Sequence, residues 1–181
     1  LRQLSMQNSG LPRLPDNMPF GDPEDPYADY TEQLLLDFLA GHELRRDPGA
    51  EYEYSNLGIG LLGYALARAG GADYETLLRQ RILDPLGMDD TAIELSPAQQ
   101  ARLATPHDMY MRPVKPWHLP TLAGAGALRS DASDMLEFLS AALDPNSPIG
   151  LAMKLALSER LDAAGSGNQT ALGWMVTAPP T

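Results

Sequence analysis

Apolar side chains recur at helical spacing in several separate stretches of this 181-residue chain. Leu34, Leu35, Phe38 and Leu39 form one such stripe, with Thr31 placed to cap a helix and Gly41 to end it. From about Leu57 to Ala69 the pattern is apolar nearly all round, which predicts a helix in the centre of a domain. Asn56, Gly60, Gly63 and Ala67 run along one side of it as a stripe of small side chains, opposite Leu57, Leu61, Leu62, Tyr64 and Leu66. Such a stripe permits close approach of another element, and Gly70-Gly71 stops the helix. Asp73 can cap a third helix carrying Tyr74, Leu77, Leu78 and Ile82, closed by Pro85 and Gly87. Ser96-Pro97-Ala98-Gln99 reads as a capping box with proline at the first helical position, opening a short helix toward Leu103. A fifth helix starts near Ser130 and is expected to bury Met135, Phe138, Leu139 and Leu143; a sixth covers roughly 149–157.

Between these stripes the chain is punctuated by turn formers. Residues 1–30 hold Pro12, Pro15, Pro19, Gly21, Pro23 and Pro26, yet Leu11, Leu14, Met18, Phe20, Tyr27 and Tyr30 give that segment apolar anchors, so it reads as an ordered loop. Residues 104–122, with four prolines, read as irregular. Gly165-Ser166-Gly167-Asn168 reads as a flexible loop, and Ala171 to Val176 as a single strand. A lone strand is not stable in water, so the expectation is that it joins a sheet built mostly by residues outside this sequence.

Composition narrows the classes. Hydrophobic residues make up 44% and charged residues 20%, which is globular. The net charge of −11 comes from scattered acidic residues, and no basic cluster stands ready for phosphates, so nucleic acid is excluded as a partner. The chain has no cysteine, which removes disulfides, thiolate chemistry and cysteine-rich zinc sites. The longest apolar run, Leu57 to Ala67, is shorter than the roughly 20 residues that span a bilayer. The first residue is Leu1 and no signal peptide is visible, which leaves room for an export signal upstream.

The candidate chemistry centres on Tyr54-Ser55-Asn56, between the turn Asp47-Pro48-Gly49 and the central helix. A tyrosine and an asparagine two apart at a helix mouth can point a phenol and a carboxamide into one cleft. That pair suits acyl transfer, one group moving protons and the other orienting an amide. The plainer alternatives are a core tyrosine with a bonded hydroxyl and an asparagine that caps the helix. Ser55 reads as the intervening turn. Ser130-Asp131-Ala132, followed by Asp134, reads as a cap and acidic first turn. His42, His107 and His118 lack any ligand or triad spacing, and no metal or organic cofactor is implied. Ser166 is not in a Gly-x-Ser-x-Gly elbow. Trp117, Tyr110 and Met111 are weak candidates for a cleft lining, set against ordinary core packing.

Several segments, in order, resemble one family. They are Asn8-Ser9-Gly10-Leu11-Pro12, Pro48-Gly49, Tyr52-Glu53-Tyr54-Ser55-Asn56-Leu57-Gly58, Leu61-Leu62-Gly63, Pro85-Leu86-Gly87-Met88 with Thr91, Gly124-Ala125-Gly126-Ala127-Leu128-Arg129-Ser130, and Leu172-Gly173-Trp174. The series is similar to the serine β-lactamase and penicillin-binding family of class C type. Asp16-Asn17-Met18-Pro19 and Pro26-Tyr27-Ala28-Asp29-Tyr30-Thr31 resemble its D-alanyl-D-alanine carboxypeptidase/endopeptidase branch.

The resemblance implies a two-lobed enzyme, one lobe an antiparallel sheet with flanking helices and the other mostly helical, with the site between them. It implies an acyl-enzyme on the serine of a Ser-x-x-Lys motif, a Tyr-x-Asn motif, and a Lys-Thr-Gly-like or His-x-Gly-like motif on a strand. Of these, Tyr54-Ser55-Asn56 alone is found; Lys115 and Lys154 are the two lysines, and neither follows a serine by three. The chain is therefore expected to be mainly α, the helical lobe of a β-lactamase/transpeptidase-like α+β fold. It would form a single partial domain over 1–181: an ordered loop at 1–30, the helical lobe at 31–165 and the start of the sheet lobe at 166–181. By the same resemblance, Tyr54 handles protons and Asn56 orients the substrate carbonyl and contacts the lysine. A free phenol ionises at about pH 10, so a phenol serving as base needs such an ammonium to favour its phenolate. The expected substrate of the complete protein is a peptidoglycan peptide or a β-lactam, in the periplasm or outside the cell. The chain alone is expected to be inactive, its partner being possibly the rest of its own polypeptide. The alternatives are a non-catalytic binding module derived from the helical lobe and a nicked enzyme whose pieces associate.

Overall fold

The computed structural model describes residues 1–19, 21–163 and 167–177. Phe20, Gly165 and Ser166 lie outside them, so the readings of Phe20 as an anchor and of the Gly165-Ser166 stretch as a flexible loop are not met by any described residue. The described residues are mostly helical, with one small sheet.

A short helix α1 (Arg2–Ser5) opens the chain inside the segment read as loop. The rest of that segment is turns, anchored by buried Leu11, Met18, Tyr27 and Tyr30. Tyr30 donates its hydroxyl to Asn17 Oδ1 at 3.2 Å. Burial, with the nearby Asp16 carboxylate adding to it, pushes the Tyr30 phenol up to about 12. Helix α2 (Glu32–Gly41) begins at Thr31, whose hydroxyl accepts the Leu34 N–H, and buries Leu35 and Phe38.

Helix α3 (Asn56–Gly70) is the central element, ending at Gly71 with φ of 68° in the left-handed region. Its small stripe does what the spacing suggested. A Cβ on Gly60 would stand 2.7 Å from Leu122 Cβ, and one on Gly63 would stand 2.9 Å from Gly124 Cα. The element admitted there is a 3-10 turn, Ala123–Ala125, inside the stretch that the sequence left irregular. Leu57 and Leu122 are both fully buried in the core that this contact closes.

The third helical run is continuous but changes pitch: α4 (Tyr74–Leu78) passes through a π-helical Arg79–Leu83 into α5 (Asp84–Leu86). Pro85 sits within this run rather than closing it; Gly87, with φ of 68°, makes the stop. Proline has no N–H to give the preceding turn, and the wider turn, in which Asp84 N–H bonds Arg79 O, accommodates it. Helix α6 (Pro97–Gln100) carries the expected capping box and ends three residues short of Leu103.

Helix α7 (Ala132–Leu143) is capped by Asp131, not Ser130. Ser130 Oγ lies 2.7 Å from Thr91 Oγ1, and Thr91 Oγ1 donates to the buried Asp134 carboxylate at 2.7 Å, which also accepts the Asp90 N–H at 2.9 Å. The expected buried face of α7 is corrected. Met135, Leu139 and Leu143 are 50%, 51% and 77% exposed, and only Phe138 is partly covered, stacked on Trp174 at 6.4 Å. Helix α8 (Gly150–Ser158) packs beside α7 and leaves Leu151 and Leu155 exposed as well.

The lone strand is also corrected. The strand is β3 (Met175–Val176), and it pairs antiparallel with β2 (Gln169–Thr170), itself paired with β1 (Leu161–Asp162). Thr170 faces Leu161 on one side and Met175 on the other. The partners were missed because two-residue strands give no readable alternation. Among the described residues, no helix is long and apolar enough to cross a membrane.

Candidate active site

The segment that holds Tyr54 is strapped to the N-terminal loop. Gly49 N–H bonds Asn8 O, Glu53 N–H bonds Gln7 O, and Leu57 N–H bonds Arg13 O. Gln7 takes a left-handed backbone, φ 56°, and its side-chain Oε1 accepts the Ser55 N–H at 2.7 Å. Ser55 is 1% exposed. Its hydroxyl donates to Pro12 O at 2.6 Å and accepts the Gly58 N–H at 2.8 Å. Ser55, not Asn56, is thus the cap of α3, which corrects both the capping alternative for Asn56 and the reading of Ser55 as mere turn.

The consequence is that the Asn56 carboxamide is not used on its own helix. It is the first helical residue, and Nδ2 donates to Tyr27 Oη at 2.8 Å. Tyr27 is buried and tilts against the Trp117 ring at 5.7 Å. Tyr54 is 46% exposed, with the Arg13 guanidinium 5.1 Å over its ring. Tyr54, Asn56, Tyr27 and Trp117 line one open groove of about 500 Å³, together with residues 125–129. Sequence spacing alone placed Tyr54 and Asn56 together. Tyr27 and Arg129, which also line it, were read from the sequence as an apolar anchor and as part of a family-like segment rather than as site residues; Tyr27 lies 29 residues from Asn56, and no local pattern joins them.

The other candidates fall elsewhere. His118 gives Nδ1 to the buried Asp25 carboxylate at 2.5 Å and its N–H to the other oxygen at 2.8 Å. It lines a neighbouring cavity of about 600 Å³ that shares Leu119, Ala127 and Arg129 with the groove. His42 stacks on Phe38, and His107 pairs with Pro113 in an isolated bridge. Tyr110 and Met111 stand out in solvent on the turn beyond that bridge, away from the groove lining. Lys115 bonds Asp22 at 2.9 Å, and that ammonium holds the Asp22 carboxyl below its ordinary value. Among the described residues no cluster of His, Asp and Glu is arranged to hold a metal ion.

A family model described as Beta-lactamase matches residues 1–181. The chain belongs to the beta-lactamase family. Solved structures place this beta-lactamase-family chain in the corresponding fold. A beta-lactamase/D-alanine carboxypeptidase from Pseudomonas syringae superposes with a TM-score of 0.81 at 22% identity, over 99% of this chain and 48% of its own. A class C beta-lactamase bearing a tyrosine-to-phenylalanine mutation gives 0.79 at 21%, over 99% and 48%. A D-alanine carboxypeptidase from Burkholderia cenocepacia gives 0.76 at 23%, over 96% and 45%. At these identities the likeness speaks for the fold, which is the helical part of the β-lactamase/transpeptidase architecture. The chain spans about half the length of the solved structures it matches. No curated protein matches it.

Proposed function

We propose that this chain supplies the Tyr54 and Asn56 side of the active site of a serine hydrolase acting through an acyl-enzyme on acyl-D-alanyl-D-alanine peptides or β-lactams. One observation carries the reading: the Tyr54 phenol and the Asn56 carboxamide line the same open groove, and neither serves as a helix cap. The nucleophile, a serine of a Ser-x-x-Lys motif, comes from polypeptide outside this sequence.

In acylation the Tyr54 phenolate takes the serine proton as the serine oxygen bonds the substrate carbonyl carbon. The scissile C–N bond then breaks, and the phenol returns a proton to the leaving nitrogen. In deacylation water gives a proton to the Tyr54 oxygen as it attacks the acyl carbon, the C–O bond to the serine breaks, and the serine oxygen takes that proton back. The Asn56 Nδ2 donor, held at 2.8 Å by Tyr27, turns to the substrate carbonyl. The buried Tyr27 sets where that carboxamide can swing. Residues 31–165 act as the helical lobe and 166–181 open the sheet lobe of the complete protein, which works in the periplasm or outside the cell, where peptidoglycan is found.

Intact-mass measurement after incubation with penicillin tests this. The chain by itself gives no adduct; a stoichiometric adduct overturns the reading. In the polypeptide that also carries the serine, Tyr54→Phe slows acylation by about 10²–10⁴-fold. An unchanged acylation rate in that variant overturns the role of Tyr54.

A further inference from the structure

Methionine is an apolar residue that folding usually hides. Of the eight in this chain, Met6, Met18, Met88 and Met153 are buried, none more than 9% exposed. Met135 and Met175 are half-covered, at 50% and 47%. Met109 and Met111 are different: they are 86% and 75% exposed, and they stand two apart on the turn beyond the His107–Pro113 bridge.

That turn is held by other groups. Asp108 Oδ1 accepts the Tyr110 N–H at 2.8 Å and the Arg112 N–H at 3.0 Å, and Asp108 Oδ2 accepts from Arg112 Nε at 2.7 Å. The Asp108 N–H bonds Arg112 O, the Met111 N–H bonds Asp108 O, and the Val114 N–H bonds Pro106 O, each at 3.0 Å. The Arg112 guanidinium lies 5.2 Å over the Tyr110 ring. Neither thioether enters these bonds, so the turn does not depend on them. Met111 also takes a left-handed backbone, φ 61°, a conformation that glycine or asparagine adopts at less cost. Two solvent-facing thioethers, one of them on a strained backbone, are thus placed where the fold does not call for them.

We propose that the 107–113 turn is a sacrificial oxidation site, at which Met109 and Met111 consume peroxide before it reaches the other methionines. With no thiol in the chain, thioethers are its most readily oxidised side chains, and access to solvent sets their order. In each event a sulfur lone pair attacks one peroxide oxygen and the O–O bond breaks. The departing oxygen takes the proton of the transferred one and leaves as water. Sulfur is oxidised to the sulfoxide, and the peroxide is reduced. On this turn the new polar oxygen points into water and disturbs no packing. At Met175 it would enter the β3 strand, and at Met6 or Met153 the buried interior. The reading is independent of the chemistry assigned to Tyr54.

Peptide mapping by mass spectrometry tests this, after the folded protein is treated with hydrogen peroxide at about two equivalents per chain, one for each thioether of the turn. Met109 and Met111 gain their oxygen at least about threefold faster than Met135 and Met175, and the four buried methionines stay unmodified. The oxidised protein keeps its helical circular dichroism and its thermal midpoint. In urea the order collapses, because the fold alone sets it. In the double variant Met109→Leu/Met111→Leu the same dose moves the oxygen to Met135 and Met175. Oxidation of Met135 or Met175 as fast as the turn overturns the proposal. So does loss of helical signal once the turn is oxidised, or an order that survives in urea. Should the double variant fail to fold, the parent protein's order of oxidation and its circular dichroism decide.

Discussion

Two apolar helices of this protein meet opposite fates. Helix α3 is covered on its glycine side by the turn at 123–125, so tightly that Gly60 and Gly63 have no room for a methyl group. Helix α7 carries an equally legible apolar stripe, yet Met135, Leu139 and Leu143 face solvent. Periodicity reports which face of a helix is apolar; it does not report what covers that face. Coverage depends on residues distant in sequence, and for α3 those residues happen to be Leu122 and Gly124, about sixty positions on.

Substitutions ordered by size sharpen this contrast. Leu122→Ala removes a side chain that is 1% exposed and packed on α3, and is expected to cost about 2–5 kcal/mol in urea denaturation. Gly63→Ala forces its Cβ against the Gly124 backbone, which cannot swing away as a side chain can, and is expected to cost about 1–3 kcal/mol. A Gly63→Ala protein as stable as the parent would mean that α3 and the turn are not in this contact. Ser55→Ala loses the α3 cap and the donor to Pro12 O, for about 1 kcal/mol or somewhat more, read as a lower thermal midpoint. Leu139→Gln, on the exposed stripe, is expected to shift stability by less than about 0.5 kcal/mol. A large loss in that variant would show that α7 is covered in solution and would dissolve the contrast.

The same contrast explains what could be read in advance. Local signals performed well: Thr31, Asp73 and the Ser96–Gln99 box all cap the helices expected of them. Asn56 failed as a cap because Ser55, one residue earlier, accepts the Gly58 N–H and donates to Pro12 O, a donor role that only the folded N-terminal loop reveals. The stop assigned to Pro85 failed because a π turn absorbs a proline, a choice that depends on the packing of the whole run. Tyr54 and Asn56 were visible as neighbours in sequence. The groove they share was not, since Tyr27, Trp117 and Arg129 reach it from three separate loops.

The two tryptophans of this protein stand in different regions: Trp117 in the groove wall and Trp174 stacked on Phe138 of α7. Each region therefore owns a fluorophore. Replacing Trp174 by phenylalanine leaves a single tryptophan whose emission, excited selectively over the tyrosines, reports on the cleft, and the reciprocal change at Trp117 turns the same light onto the outer helix.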